Sequence, residues 1–254
     1  MTSARVGTAW VGGPTDETGA PVRLFCFPHA GGGATSYRTW RQPLLPHVAL
    51  APVQLPGRES RLRERPVRRM AELIGPLCDG LLPYLDRPFA LFGHSMGAAI
   101  AFEVAHEMSR RGWGVPTRLF VSGRRPPHLP ARRPPLHLLT DEQFLPAVNS
   151  LNGIPSEILD TPDVMALILP ALRADFELNE TYVPGDTDLL RCPVTALTGD
   201  KDPEVTVDEM AAWRDTTRAD FDLAVLPGDH FYLRPAATDV LNKVLHHLAT
   251  PDAL

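Results

Sequence analysis

Five residues, Gly93-His94-Ser95-Met96-Gly97, carry the strongest chemical signal in the chain. They match G-x-S-x-G and lie between an apolar run, Phe89 to Phe92, and the helix-like stretch AAIAFEVAHEMSRRG. In that setting the glycines permit a sharp turn that pushes the serine side chain outward. The serine then lies at a helix N-terminus, where negative charge is favoured. The bland alternative for Ser95 is a helix N-cap. A serine hydroxyl is a poor nucleophile at neutral pH and needs a base. On such an elbow an acid and then a histidine follow in chain order. His230, in Gly228-Asp229-His230-Phe231, comes just after the apolar run Phe221 to Leu226 and suits the base. His106, His246 and His247 fall inside helix-like stretches and suit it less. The acid lies in VTALTGDKDPEV, where Gly-x-x-Asp spacing from Gly199 selects Asp202 and leaves Asp200 as the alternative. Asp229 reads as a turn residue. The chemistry of such a set is acyl transfer through an acyl-serine.

An acyl-transfer site also needs two backbone N–H groups aimed at the developing oxyanion. Met96, directly after the nucleophile, supplies one. The loop after the first core strand supplies the other, here Ala30 in His29-Ala30-Gly31-Gly32-Gly33, against the alternative of a plain glycine turn. His29 reads as a residue that orients this loop. No metal or cofactor is required. Cys26 sits in an apolar run and reads as core.

The elements that must position these residues follow from the apolar pattern. Val22 to Phe27 reads as a buried strand, and the short runs at Val48 to Leu55, Phe89 to Phe92, Leu119 to Ser122, Val194 to Leu197 and Phe221 to Leu226 read as further strands. Helical spacing covers Met70 to Leu85, the stretch after Gly97, Val207 to Thr216 and Ala236 to Leu248. Strands alternating with helices predict a mainly parallel sheet wound on both faces. Residues 134–182 break the rhythm with helix-like segments and no strand, which predicts an inserted helical lid. Residues 1–20 are polar and read as a loose N-terminal arm, leaving 21–254 as one domain.

Composition narrows the classes. Apolar residues make up 44% and charged residues 22%, which excludes wholesale disorder. A net charge of -5 leaves no global basic footprint, so nucleic acid is not an expected partner. No apolar run has the length of a signal peptide or a membrane span. Three scattered cysteines suggest reduced thiols in a cytoplasm rather than disulfides or zinc. A monomer is the default expectation.

FPHAGGG, LPGRE, LFGHSMGA, SGRRPP, LTGDKDPEV and GDHFYL, in this order, resemble the type II thioesterases of polyketide and nonribosomal peptide assembly lines. The resemblance runs from about Val22 to Leu248, without departure at Ser95, Asp202, His230, Met96 or Ala30, and residues 1–20 are not part of it. It implies an α/β-hydrolase fold with a helical lid. It also implies Ser95, Asp202 and His230 as the triad, with Met96 and Ala30 as oxyanion donors. The implied activity is release of stalled or aberrant acyl groups from the phosphopantetheine arm of acyl or peptidyl carrier proteins. Arg61 to Arg69 and Arg124 to Arg133 read equally as docking sites for an acidic carrier or as solvated loops. Phe144, Leu151 and Phe176 could line an acyl chamber, though helix packing is the commoner role. Competing readings are an esterase or lipase acting on free esters, a non-catalytic hydrolase-like binding protein, and an acyltransferase or cyclase.

Overall fold

The computed structural model describes residues 8–13, 19–151, 161–185 and 188–249. Six strands form its sheet: β1 (Val22–Phe27), β2 (Val48–Pro52), β3 (Phe89–His94), β4 (Leu119–Ser122), β5 (Val194–Gly199) and β6 (Phe221–Leu226). Their order is β2-β1-β3-β4-β5-β6, and every pairing is parallel. Strands β1 to β5 are buried on both faces, which is why they read as unbroken apolar runs rather than alternating ones. The helices are α1 (Arg41–Leu44), α2 (Met70–Leu81), α3 (Met96–Arg110), α4 (Asp141–Asn149), α5 (Pro162–Glu180), α6 (Val207–Ala211) and α7 (Ala237–Leu248).

One face of the sheet packs on α2 and α3 through residues such as Leu77, Ile100 and Val104. The other packs on α7 through Val240 and Val244. After β2 the chain crosses to the far side of β1 to make β3, so strand order reverses beside β1. The carboxyl ends of β1 and β3 therefore border a crevice, the usual place for a ligand in an open parallel sheet.

Element ends shift from the sequence reading in explicable ways. β2 stops at Pro52, beyond which Val53 still donates to the Cys26 carbonyl but bridges Val11 on its outer side. β3 and β5 run on to His94 and Gly199, because their last residues still pair with β4 and β6. The expected helix over Met70 to Leu85 tightens into a 3-10 turn at Leu82–Tyr84, with Pro83 inside it.

Between β4 and β5 lie a 3-10 turn at Leu136–Leu138, α4 and α5. Residues 152–160 of this expected lid are outside the described set. The insert has its own small core, in which Phe144 and Phe176 meet edge to face at 5.3 Å beside Val148, Met165 and Leu172. Both phenylalanines are thus occupied in helix packing.

Of the segment expected as a loose arm, residues 8–13 are fastened to the core. Val11 bridges Val53, the Thr8 hydroxyl donates to the Gly80 carbonyl at 2.8 Å, and Arg61 stacks 4.1 Å over the Trp10 ring. Residues 1–7 and 14–18 are outside the described set. Among the described residues no helix is long and apolar enough to cross a membrane.

Candidate active site

β3 ends in a backbone turn that glycine-free sequence cannot make. A side chain on Gly93 would lie 2.1 Å from the Gly97 carbonyl oxygen, and one on Gly97 would lie 2.1 Å from that of Phe27. Between them Ser95 adopts φ 53° and ψ -118°, with its N–H donating to the Ser122 carbonyl at 2.8 Å. Such a conformation costs a non-glycine residue about 1–3 kcal/mol, and the packed neighbours of the elbow enforce it. Ser95 makes no side-chain cap bond to α3, so capping does not account for its position. Met96 follows as the first residue of α3, where a backbone N–H has no acceptor within the helix.

The loop after β6 delivers His230, which is 5% exposed. Its Nδ1 lies 2.9 Å from Oδ2 and 3.1 Å from Oδ1 of Asp202. The Asp202 side chain is fully shielded and also accepts the Glu204 N–H at 2.8 Å. Asp200, the alternative acid, is exposed and accepts the Gly228 N–H at 2.8 Å, which ties the β5 and β6 loops together. Asp229 closes its own turn by accepting the Phe231 N–H. With Nδ1 facing a carboxylate, the other ring nitrogen of His230, Nε2, is not engaged by Asp202.

Ser95 and His230 line one cleft of about 420 Å³, together with Gly123, Arg124, Asn179 and Tyr182. Across the switch crevice is the loop His29–Gly33. There His29 O accepts the Gly32 N–H at 2.9 Å, and the Ala30 N–H has no partner among the described residues. Among those residues no group of three or more histidine, cysteine or acidic side chains is placed to hold a metal ion.

Three imidazoles crowd this centre. His94 lies 5.0 Å from His230 and 6.0 Å from His29, centroid to centroid. His94 Nδ1 meets the Ser122 hydroxyl at 2.9 Å, and that hydroxyl meets the Tyr232 hydroxyl at 2.6 Å. Burial, reinforced by the neighbouring His230, holds His94 far below the usual imidazole range. His29 keeps part of its surface exposed, yet its ring is wedged between His94 and Phe231. Desolvation, with Arg234, His230 and Arg58 nearby, takes it down to about 3. Both rings therefore stay neutral at neutral pH.

This neutrality has a cost in acid. Between pH 6.5 and about 3 the unfolded chain protonates His29 and the folded one does not, so stability falls as pH falls through that window. The slope from this residue is at most about 1.4 kcal/mol per pH unit. His29→Gln is expected to flatten the dependence of denaturant midpoint on pH over that range. An unchanged slope would show that His29 charges freely in the folded protein.

Two further residues reach the site that spacing alone did not single out. Arg58 of the LPGRE stretch and Asp175 of α5 form a buried ion pair against the glycine loop. Arg58 was hidden among six arginines between positions 58 and 69, and Asp175 carries no local motif.

A model of the thioesterase domain family matches residues 22–248. The chain belongs to the thioesterase family. It is therefore a thioester hydrolase. Among its relatives, the gramicidin S biosynthesis protein GrsT of Aneurinibacillus migulanus is 38% identical over 239 residues, covering 94% of this chain and 93% of that protein. Among solved structures, the type II thioesterase BorB from the borrelidin biosynthetic cluster superposes with TM-score 0.85 at 36% identity, covering 97% of this thioesterase and 99% of BorB. RedJ, a thioesterase of the prodiginine pathway in Streptomyces coelicolor, gives TM-score 0.86 at 40% identity, covering 93% and 89%. The fold is that of the α/β-hydrolases.

Proposed function

We propose that this thioesterase hydrolyses stalled or aberrant acyl groups from the phosphopantetheine arm of carrier proteins in polyketide or nonribosomal peptide synthesis. The observation that carries the reading is one cleft lined by both a strained elbow serine and a histidine whose Nδ1 is held by a shielded carboxylate. Relatives and structural neighbours named for such pathways supply the substrate class.

In this reading Ser95 Oγ attacks the thioester carbonyl while His230 Nε2 takes its proton. Asp202 fixes the imidazole tautomer and stabilises the cation that forms. The Met96 and Ala30 N–H groups bind the oxyanion, each worth about 3 kcal/mol in comparable sites. The tetrahedral intermediate collapses, the carbon–sulfur bond breaks, and His230 returns the proton to the leaving thiolate. Water, deprotonated by the same nitrogen, then cleaves the acyl-serine and releases the acid. The described part of the insert, residues 134–151 and 161–182, acts as a lid on a single hydrolase domain, because Asn179, Glu180 and Tyr182 from its end line the cleft beside Ser95.

Carrier docking falls on fewer arginines than the sequence offers. Arg61 is buried, and Arg68 and Arg69 pair with Glu177. Arg132 and Arg133 pair with Glu209 and Glu204. Within Arg61 to Arg69, Arg63 and Arg65 are exposed and have no partner among the described residues, which leaves them as cations available to an acidic surface.

The test compares one short acyl group on a holo carrier protein, on coenzyme A and as a p-nitrophenyl ester. A higher kcat/KM on the carrier, reduced in Arg63→Glu/Arg65→Glu, is the expected result. Efficient cleavage of the free ester with little carrier activity would point to an esterase instead.

A further inference from the structure

Arg58 and Asp175 are 8% and 2% exposed and meet in a two-pronged ion pair. Nη1 lies 2.5 Å from Oδ2, and Nη2 lies 2.7 Å from Oδ1. Each partner also grips the glycine loop. Asp175 Oδ2 accepts the Gly31 N–H at 2.8 Å, and Arg58 Nη1 donates to the Gly32 carbonyl at 3.1 Å. The remaining guanidinium edge donates to the Pro56 carbonyl. One charge pair thus joins three segments far apart in sequence: the oxyanion loop, the LPGRE turn and α5 of the insert.

The consequence for Ala30 is geometric. A trans peptide points its C=O and N–H in opposite directions. His29 O is turned inward to Gly32 N, so the Ala30 N–H of the same peptide faces the other way. The next peptide is held by Gly31 N–H on Asp175, which fixes the rotation between the two planes. Gly31 itself sits at φ +77°, and a side chain there would lie 2.9 Å from Leu172 Cδ1, one turn before Asp175. Any other residue type here would have to adopt a left-handed backbone and displace the Leu172 methyl.

We propose that Arg58 and Asp175 are positioning residues that aim the Ala30 amide at the oxyanion and make that aim depend on the seating of α5. The inference rests on the reading of Ser95 as nucleophile and Ala30 as oxyanion donor.

Asp175→Asn keeps the shape and one acceptor but removes the charge. Arg58→Met/Asp175→Leu removes both charges together, a change that leaves no buried ion unpaired and is often neutral for stability. The measurements are thermal midpoint, kcat and KM on an acyl carrier protein, and affinity for a trifluoromethyl ketone that forms a tetrahedral adduct on the serine. Asp175→Asn is expected to lower kcat at least about tenfold with KM nearly unchanged, short of the about 10²–10³-fold of losing a donor outright. The double variant is expected to regain the midpoint but not kcat, and ketone affinity should fall in step with kcat. A double variant with both midpoint and kcat of the parent would overturn the proposal and leave the pair a packing feature. If the double variant does not fold, Asp175→Asn assayed well below its midpoint decides, because an unchanged kcat there refutes the role. Failure of the underlying reading looks different: the parent protein itself would then neither hydrolyse the thioester nor bind the ketone at Ser95.

Discussion

Ser95→Ala is expected to reduce kcat by about 10⁴–10⁶-fold while leaving thermal stability intact. The rate loss follows from the proposed mechanism, because among the described residues the cysteines offer no substitute nucleophile. The three cysteines are buried, and desolvation pushes the Cys78 and Cys192 thiols up to about 12. Stability should survive because the Ser95 side chain makes no cap bond, and alanine keeps the Cβ that the elbow already tolerates. Ser95→Gly adds a second reading. It relieves φ 53° at the cost of a floppier unfolded chain, so it should be more stable than Ser95→Ala by about 1 kcal/mol. Denaturant melts of the three proteins, beside single-turnover hydrolysis, check both halves. Substantial residual turnover in Ser95→Ala would reject the acyl-serine route.

The second large effect concerns the acid. Asp202→Asn is expected to lower kcat by about 10⁴-fold with little change in KM. Its amide nitrogen would donate to His230 Nδ1, forcing the ring proton onto Nε2, the atom that accepts from serine in the proposed mechanism. Asp200→Asn retains an oxygen for the Gly228 N–H and should stay within about tenfold of the parent, well short of a misplaced triad acid. A steady-state comparison of the two variants on one acyl carrier substrate separates the candidates. Equal losses would mean that the whole β5–β6 loop pair, rather than one carboxylate, sets the histidine.

The layout of the sheet was legible because parallel strands buried on both faces leave short apolar runs bounded by turn residues. The elbow was legible for a related reason: its close backbone approaches admit only glycine, so the constraint is written in residue type. Asp202 stood out only through its spacing from Gly199, and the geometry separates it from Asp200 by burial. What could not be read is charge pairing at a distance. Arg58 and Asp175 are 117 positions apart, and an arginine-rich background conceals which guanidinium is buried. Nor did polarity reveal that residues 8–13 are anchored, since their hold depends on Trp10, Val11 and backbone bonds to distant partners. Local pattern reports local constraint, and these contacts are long-range.

The buried thiols described above also make this protein its own gauge of opening. Cys78 and Cys192 lie in the layer that holds α2 and α3, whereas Cys26 lies in the layer beneath α7. Burial raises all three thiols, so almost no reactive thiolate is present while the fold is closed. A thiol reagent therefore counts excursions from the native state, and peptide mapping of the modified cysteine tells which side of the sheet let go first. Without a single substitution, the chain can distinguish peeling of one helical layer from collapse of the whole molecule.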